Sequence, residues 1–185
     1  MTTSPFPRTS SPPASLADSE DQPTHTITAP SASVSLTHSP LSIPTATTFV
    51  RSPSAGASVL FAGSTRDNFE SKPVLRLTYS AYIPLALRTL LTIAIAVKEK
   101  HALAAIYIVH RLGECPVGEE SVLVAVSAPH RGAAWRGGEE ALERVKGEVE
   151  IWKREIFEGE DGAEGEGVWR ANAEDGQGQR AQANG

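Results

Sequence analysis

Two lysines, Lys146 and Lys153, lie seven positions apart in the segment KGEVEIWKRE, residues 146–155. In a continuous helix seven residues make close to two turns, so both ammonium groups would lie on one face and could bind one anionic ligand. Gly147 and the β-branched Val149 and Ile151 are equally compatible with a break near this point, and the lysines would then approach each other from different elements. Spacing by itself favours the simplest interpretation, which is two lysines on a solvated surface.

Two further segments carry side chains suited to binding an anion. Arg66 follows a Gly-Ser-Thr turn, and a guanidinium group can donate two hydrogen bonds to one phosphate or carboxylate. His130 and Arg131 lie where a strand is predicted to enter a helix, and helix N-termini present unpaired N–H groups. Each segment also has an ordinary interpretation, namely a hairpin with a surface arginine and a helix with a polar cap.

The composition limits the classes of function. The net charge of −5 argues against general nucleic-acid binding, which needs a broad basic surface, so any anion site must be local. The single cysteine, Cys115, excludes an internal disulfide and a cysteine-rich zinc site. No segment has the spacing of metal ligands, so we expect no metal and no bound cofactor.

The chain has no segment that predicts a membrane span. Its most apolar stretch, residues 83–97, is interrupted by Arg88 and is shorter than the roughly 20 residues that cross a bilayer. The N-terminus has no apolar signal region, and Asp18, Glu20 and Asp21 argue against a transit peptide. We therefore expect a soluble, cytoplasmic protein.

The composition also divides the chain into three parts. Residues 1–32 are rich in Ser, Thr and Pro and are predicted to form a disordered tail, because they cannot bury enough apolar surface to offset the entropy of ordering. Residues 33–174 form the predicted domain, and residues 175–185 a flexible C-terminal tail. Within the domain, the acidic, glycine-rich residues 158–167 predict a mobile loop.

Hydrophobic periodicity predicts an α/β domain. The predicted strands occupy residues 33–37, 57–62, 74–79, 104–110 and 121–127. The predicted helices occupy residues 42–51, 84–100 and the segment that follows residue 130. A turn at residues 68–73 would join the second and third strands into a hairpin. Gly137 and Gly138 are expected to weaken the last helix.

Four segments, in order, resemble one known family. FAGSTRDNFESKPVLRLTYSAYIPLAL, IVHRLGECPVGEESVLVAVSAPHR, VKGEVEIWKREIF and VWRANAE are similar to the large, catalytic subunit of molybdopterin synthase, the MoaE family. The resemblance runs from about residue 41 to residue 174. It implies an α/β hammerhead fold, which periodicity alone does not indicate.

The resemblance also implies a reaction and its partners. Members of the family form a homodimer, and each protomer binds a small ubiquitin-like sulfur carrier of the MoaD type, giving a heterotetramer. The carrier ends in a glycine thiocarboxylate. A sulfurtransferase of this kind passes sulfur twice to cyclic pyranopterin monophosphate and forms the dithiolene of molybdopterin, a step in molybdenum cofactor biosynthesis.

The site residues that the resemblance implies are present in this chain. The catalytic lysines correspond to Lys146 and Lys153. The substrate-binding residues correspond to Ser64, Thr65, Arg66, His130, Arg131, Lys146, Lys153, Arg154 and Glu155. We hypothesise that Lys153, packed near Trp152, approaches the donor carbonyl, while Lys146 stabilises the intermediate or moves protons.

Some features depart from the family pattern or leave other interpretations open. Glu150 replaces a common proline, so the backbone entering Lys153 is expected to be less rigid. A non-catalytic module that binds the glycine-terminated tail of a partner would use a similar cationic pocket. Cys115 could in principle carry a persulfide, but we interpret it as a small buried side chain.

Overall fold

The computed structural model describes residues 23–158, 164–165 and 167–171, and the predicted α/β class is confirmed there. The helices are α1 (Ile43–Phe49), α2 (Ile83–Lys100) and α3 (Arg131–Glu148). The strands are β1 (Thr24–Ala29), β2 (Ala32–Thr37), β3 (Ala57–Ser64), β4 (Asn68–Phe69), β5 (Lys72–Ala81), β6 (Ala105–Arg111), β7 (Gly113–Pro116), β8 (Glu120–Ala128), β9 (Ile151–Phe157) and β10 (Val168–Ala171).

The first sheet has the order β1-β2-β6-β8-β3, and its central strands are covered on both faces. The side chains of β6 alternate as expected for a strand: Ile106 and Ile108 face the larger core cluster, whereas Ala105 and Val109 face a smaller one beneath α1. Helices α2 and α3 pack side by side against the larger cluster. This sheet is therefore the rigid scaffold of the molecule.

The glycines of α3 permit close packing and do not interrupt the helix. A Cβ atom at Gly137 would lie 2.9 Å from a methyl group of Leu103, and one at Gly138 would lie 3.5 Å from side chains of β3 and β8. Both glycines are buried, and α3 runs through them to Glu148. Their small size therefore brings the helix close to the sheet, where we had expected them to loosen it.

The second sheet has the order β10-β9-β5-β4, and β7 also pairs with β5. All of these pairings are antiparallel. Strand β5 is central, because it pairs with β4, with β7 and, along most of its length, with β9. This sheet carries Lys153, whereas the first sheet and α3 supply the opposite wall of the site described below.

The structure corrects two predictions about the strands. The predicted hairpin of residues 57–62 with residues 74–79 is wrong, because β3 pairs with β8 in the first sheet and β5 belongs to the second. The turn at residues 68–73 joins only the short β4 to β5. Strand β1 lies within the predicted disordered tail and pairs with β2, so the ordered domain begins before residue 33.

Other predictions concern helices and ends of the chain. The Ser42 side chain caps α1, because it accepts a hydrogen bond from the Thr45 amide at 3.3 Å. Residues 1–22, 172–185 and most of the predicted loop at 158–167 lie outside the described residues. Among the helices that are described, none combines the length and apolar character needed to span a bilayer.

Candidate active site

The two lysines lie on different elements. Helix α3 ends at Glu148, the backbone is extended at Val149, and β9 begins at Ile151. Lys146 is in the last turn of the helix and Lys153 is in the strand, so the structure decides between the two alternatives: a break separates the lysines and a continuous helix is excluded.

Glu150 stabilises this helix-to-strand junction. The Thr89 hydroxyl of α2 donates to the two carboxylate oxygens of Glu150 at 3.0 and 3.3 Å. A carboxylate in this position therefore ties the turn before β9 to α2 through side-chain hydrogen bonds. These hydrogen bonds argue against the expectation that Glu150 leaves the backbone before Lys153 less rigid.

Both lysines line one pocket between the two sheets, with a volume of about 100 Å³. The first sheet contributes side chains from β3, β6 and β8, and the second contributes them from β4, β5 and β9, while Lys146 enters from the end of α3. The lining includes both apolar and charged residues, among them Phe69, Tyr79, His110, Lys153 and Glu155. Such a mixture suits a ligand with an aromatic body and anionic groups.

Lys153 is a buried residue of the pocket lining and lies 3.5 Å from a carboxylate oxygen of Glu155. Its ammonium group is also 6.0 Å from the centroid of the Phe69 ring. Trp152 is 44% exposed on the opposite face of β9, because successive side chains of a strand point in opposite directions. The hypothesis that Lys153 packs near Trp152 is therefore wrong, and the relevant aromatic residue is Phe69.

The pocket has an excess of positive charge. Arg66, Lys146 and Lys153 line it together with one carboxylate, that of Glu155. Among the described residues, no carboxylate lies within 4.0 Å of Arg66 or Lys146. In a chain whose net charge is −5, this local arrangement favours an anionic ligand.

The predicted site residues are only partly brought together. Those that line the pocket are Ser64, Arg66, Lys146, Lys153 and Glu155. Thr65 is buried beside them without lining the pocket. Arg154 follows Lys153 in β9, so its side chain points to the opposite face of the sheet. Its Nε donates to the Gly167 carbonyl at 3.2 Å.

His130 and Arg131 are remote from the pocket of their own chain. They are exposed at the N-terminus of α3, whereas Lys146 is in its last turn. Lys146 is 15 positions after Arg131, which corresponds to roughly 22 Å along a helix. Within one protomer the predicted cluster of all these residues does not form.

Sequence reasoning missed His110, which is buried in the wall of the pocket. Its Nδ1 lies 2.7 Å from the Arg111 carbonyl oxygen, so a neutral imidazole donates its proton there. Burial lowers the pKa of His110 to about 4, although the hydrogen bond to Arg111 opposes this effect. The ring packs edge-on against Tyr79 with 4.8 Å between centroids. Strand alternation in AAIYIVHR could have indicated that His110 points inward.

Cys115 has the environment of a structural residue. Its thiol is fully buried in β7 and donates to the Glu119 carbonyl at 3.5 Å. Burial raises the pKa of Cys115, which disfavours the thiolate that sulfur exchange requires. This residue does not line the pocket.

Comparisons with known proteins agree with this architecture. Residues 36–148 match the model of the family described as "MoaE protein". The molybdopterin synthase catalytic subunit of Neurospora crassa is 58% identical over 146 residues, covering 79% of this chain and 69% of that protein. The same-named protein of Coccidioides immitis is 60% identical over 139 residues, covering 75% of this chain and 70% of that protein.

A solved structure shares the fold. The crystal structure of molybdopterin synthase from Staphylococcus aureus superposes with a TM-score of 0.67 at 35% sequence identity, covering 73% of this chain and 94% of the other. The family match spans more than half of the 185 residues, and the fungal relatives extend across most of the domain. This chain belongs to the MoaE family.

Proposed function

We propose that this chain is the catalytic subunit of a molybdopterin synthase. It transfers sulfur from the C-terminal thiocarboxylate of a small ubiquitin-like carrier to cyclic pyranopterin monophosphate, and so forms the molybdopterin dithiolene. The observation that carries the proposal is the convergence of Lys146 and Lys153, from α3 and β9, on one pocket with excess positive charge. Relatives that are more than half identical bear the name of this enzyme.

The pocket residues suit the two anions of this reaction. Arg66 has a planar guanidinium group that can bind phosphate through two hydrogen bonds. Lys153, held beside Glu155, approaches the carbonyl of the donor thiocarboxylate, and Lys146 stabilises the negative charge that develops on the intermediate or moves a proton. The buried location of Lys153 strengthens its electrostatic effect, because little water screens it.

The proposed assembly is a heterotetramer in the cytoplasm, with two copies of this chain and two carriers of the MoaD type. Its symmetry offers a role for His130 and Arg131. Because roughly 22 Å of helix separates them from the pocket of their own chain, they would serve as substrate-binding residues at the pocket of the second copy.

Single-turnover sulfur transfer tests the catalytic assignment. The purified chain is mixed with thiocarboxylated carrier and the cyclic pterin, and dithiolene formation is followed for Lys146→Ala and Lys153→Ala. Each substitution is expected to reduce the rate at least about 100-fold, as for loss of a group that stabilises transition-state charge. Arg88→Gln, at an exposed position of α2, is the control. Near-normal rates for both lysine variants would refute the assignment.

The same experiment separates the enzyme from a binding module. A module that only binds the carrier's tail would retain tight binding of the carrier and form no dithiolene. The excess positive charge of the pocket fits either function, but the two converging lysines favour the enzyme.

A further inference from the structure

A residue outside the predicted site lies beside the catalytic lysine. Strand β10 pairs with β9, and in their register Arg170 is directly opposite Lys153. Directly opposed residues of an antiparallel pair project to the same face of the sheet. Arg170 therefore shares the face of Lys153, whereas its neighbour Trp169 is half exposed on the other face.

The Phe69 ring connects these two cations. The guanidinium carbon of Arg170 lies 5.1 Å from the ring centroid, and the ammonium nitrogen of Lys153 lies 6.0 Å from it. Both distances are within the range of cation–π attraction. Phe69 lines the pocket, so Arg170, which does not itself line it, packs against a side chain that belongs to the site.

The backbone that carries Arg170 is also anchored. The Nε of Arg154 donates to the Gly167 carbonyl, just before β10 begins. A Cβ atom at Gly167 would lie 2.5 Å from that Nε and 2.7 Å from a methyl group of Ile156, so only glycine permits this close approach. Arg154, predicted to bind substrate, thus acts on the strand that presents Arg170.

The charge of Arg170 is not neutralised within the described part of the chain. No carboxylate there lies within 4.0 Å of its guanidinium group. Packing against a ring does not use the N–H groups at the edge of the guanidinium plane, which remain suited to an oxyanion. An arginine that is ordered by an aromatic ring loses less entropy when it binds.

From these observations we propose that Arg170 is an anion-binding residue of the pocket, and that it donates hydrogen bonds to an oxyanion of a bound ligand. This inference rests on the proposed function, which supplies two such groups: the cyclic phosphate of the pterin and the C-terminal thiocarboxylate of the carrier. Both are recognised by the same guanidinium chemistry.

Binding measurements on the full chain distinguish the two sources. The dissociation constants for cyclic pyranopterin monophosphate and for the carboxylate form of the carrier are measured for wild type and Arg170→Gln. Loss of a charge-assisted hydrogen bond is expected to weaken one ligand by about 10- to 100-fold and to leave the other within about twofold. Weakening of the pterin alone identifies phosphate, and weakening of the carrier alone identifies its tail.

Two additional variants test the geometry. Arg170→Lys keeps the charge but loses the planar group, so its affinity should fall between those of wild type and Arg170→Gln. Gly167→Ala leaves the Arg170 side chain intact but displaces the start of β10, and should weaken the same ligand. Arg88→Gln is the matched control for loss of one exposed positive charge.

The outcomes separate this inference from the proposed function. If wild type forms dithiolene and Arg170→Gln binds both ligands as tightly as Arg88→Gln, the role of Arg170 is refuted and the enzyme assignment stands. If wild type forms no dithiolene with active carrier, the proposed function fails, and the inference fails with it.

Discussion

The buried pair of Lys153 and Glu155 leads to a prediction about stability as well as catalysis. Their side chains are only 4% and 3% exposed, and the charged atoms lie 3.5 Å apart. At an effective dielectric constant of about 20, two unit charges at this distance attract by about 5 kcal/mol. Each charge has lost most of its hydration, so this attraction mainly offsets the cost of burial.

Removing one charge leaves the other buried without the opposite charge that offsets its lost hydration. We expect Glu155→Gln, which preserves the shape of the side chain, to lower the free energy of unfolding by about 3–5 kcal/mol. The double variant Lys153→Met with Glu155→Gln removes both charges and should recover most of that loss. Urea denaturation at pH 7 measures all three proteins.

A surface pair in the same chain provides the control. Arg144 and Glu148 form an i,i+4 pair on α3 at 2.7 Å, with side chains 28% and 47% exposed. Glu148→Gln should cost under about 0.5 kcal/mol, because water screens this pair. If Glu155→Gln costs no more than Glu148→Gln, the reasoning about the buried pair is refuted.

Three further predictions concern the surroundings of the site. The pKa of His110 is about 4 in the folded chain and near 6.5 in the unfolded chain. Between these two pH values the unfolded state binds more protons, so the free energy of unfolding falls as the pH decreases from 6.5 to about 4. Between pH 7 and pH 4 the free energy of unfolding, measured by urea denaturation, should fall by about 3 kcal/mol more for wild type than for His110→Gln. Equal decreases in the two proteins would contradict the lowered pKa of His110. Gly137→Ala should lower the free energy of unfolding by about 1–3 kcal/mol, because its Cβ would lie 2.9 Å from a Leu103 methyl group. Gly147→Ala is the comparison: no atom lies within 4 Å of its new Cβ, so it should stabilise α3 by up to about 1 kcal/mol. A similar change in stability for Gly137→Ala and Gly147→Ala would show that packing against Leu103 does not determine the effect at Gly137. Cys115→Ser should retain sulfur transfer in the purified two-subunit reaction, and complete loss there, with the fold intact by circular dichroism, would assign the thiol a chemical role.

Local patterns were enough for several features of this chain. The Ser42 cap, the end of α3 before Ile151 and the alternating side chains of β6 depend on interactions among residues close in sequence. The ordered resemblance of four segments was enough to predict the family. That resemblance also predicted the chemistry of Lys146 and Lys153 before the structure showed which side chains surround them.

Tertiary structure decided which strands pair and which side chains meet. Strands β3 and β5 both have apolar character and are separated by a turn, but burial of their faces places them in different sheets, a choice that no local signal contains. Gly137 and Gly138 are unfavourable in an isolated helix but suit one packed tightly on a sheet. The length of α3 separates Arg131 from Lys146, and the pairing of β9 with β10 brings Arg170 beside Lys153. The sequence alone therefore determined the residue types and the local elements, whereas long-range packing determined which of those residues form one site.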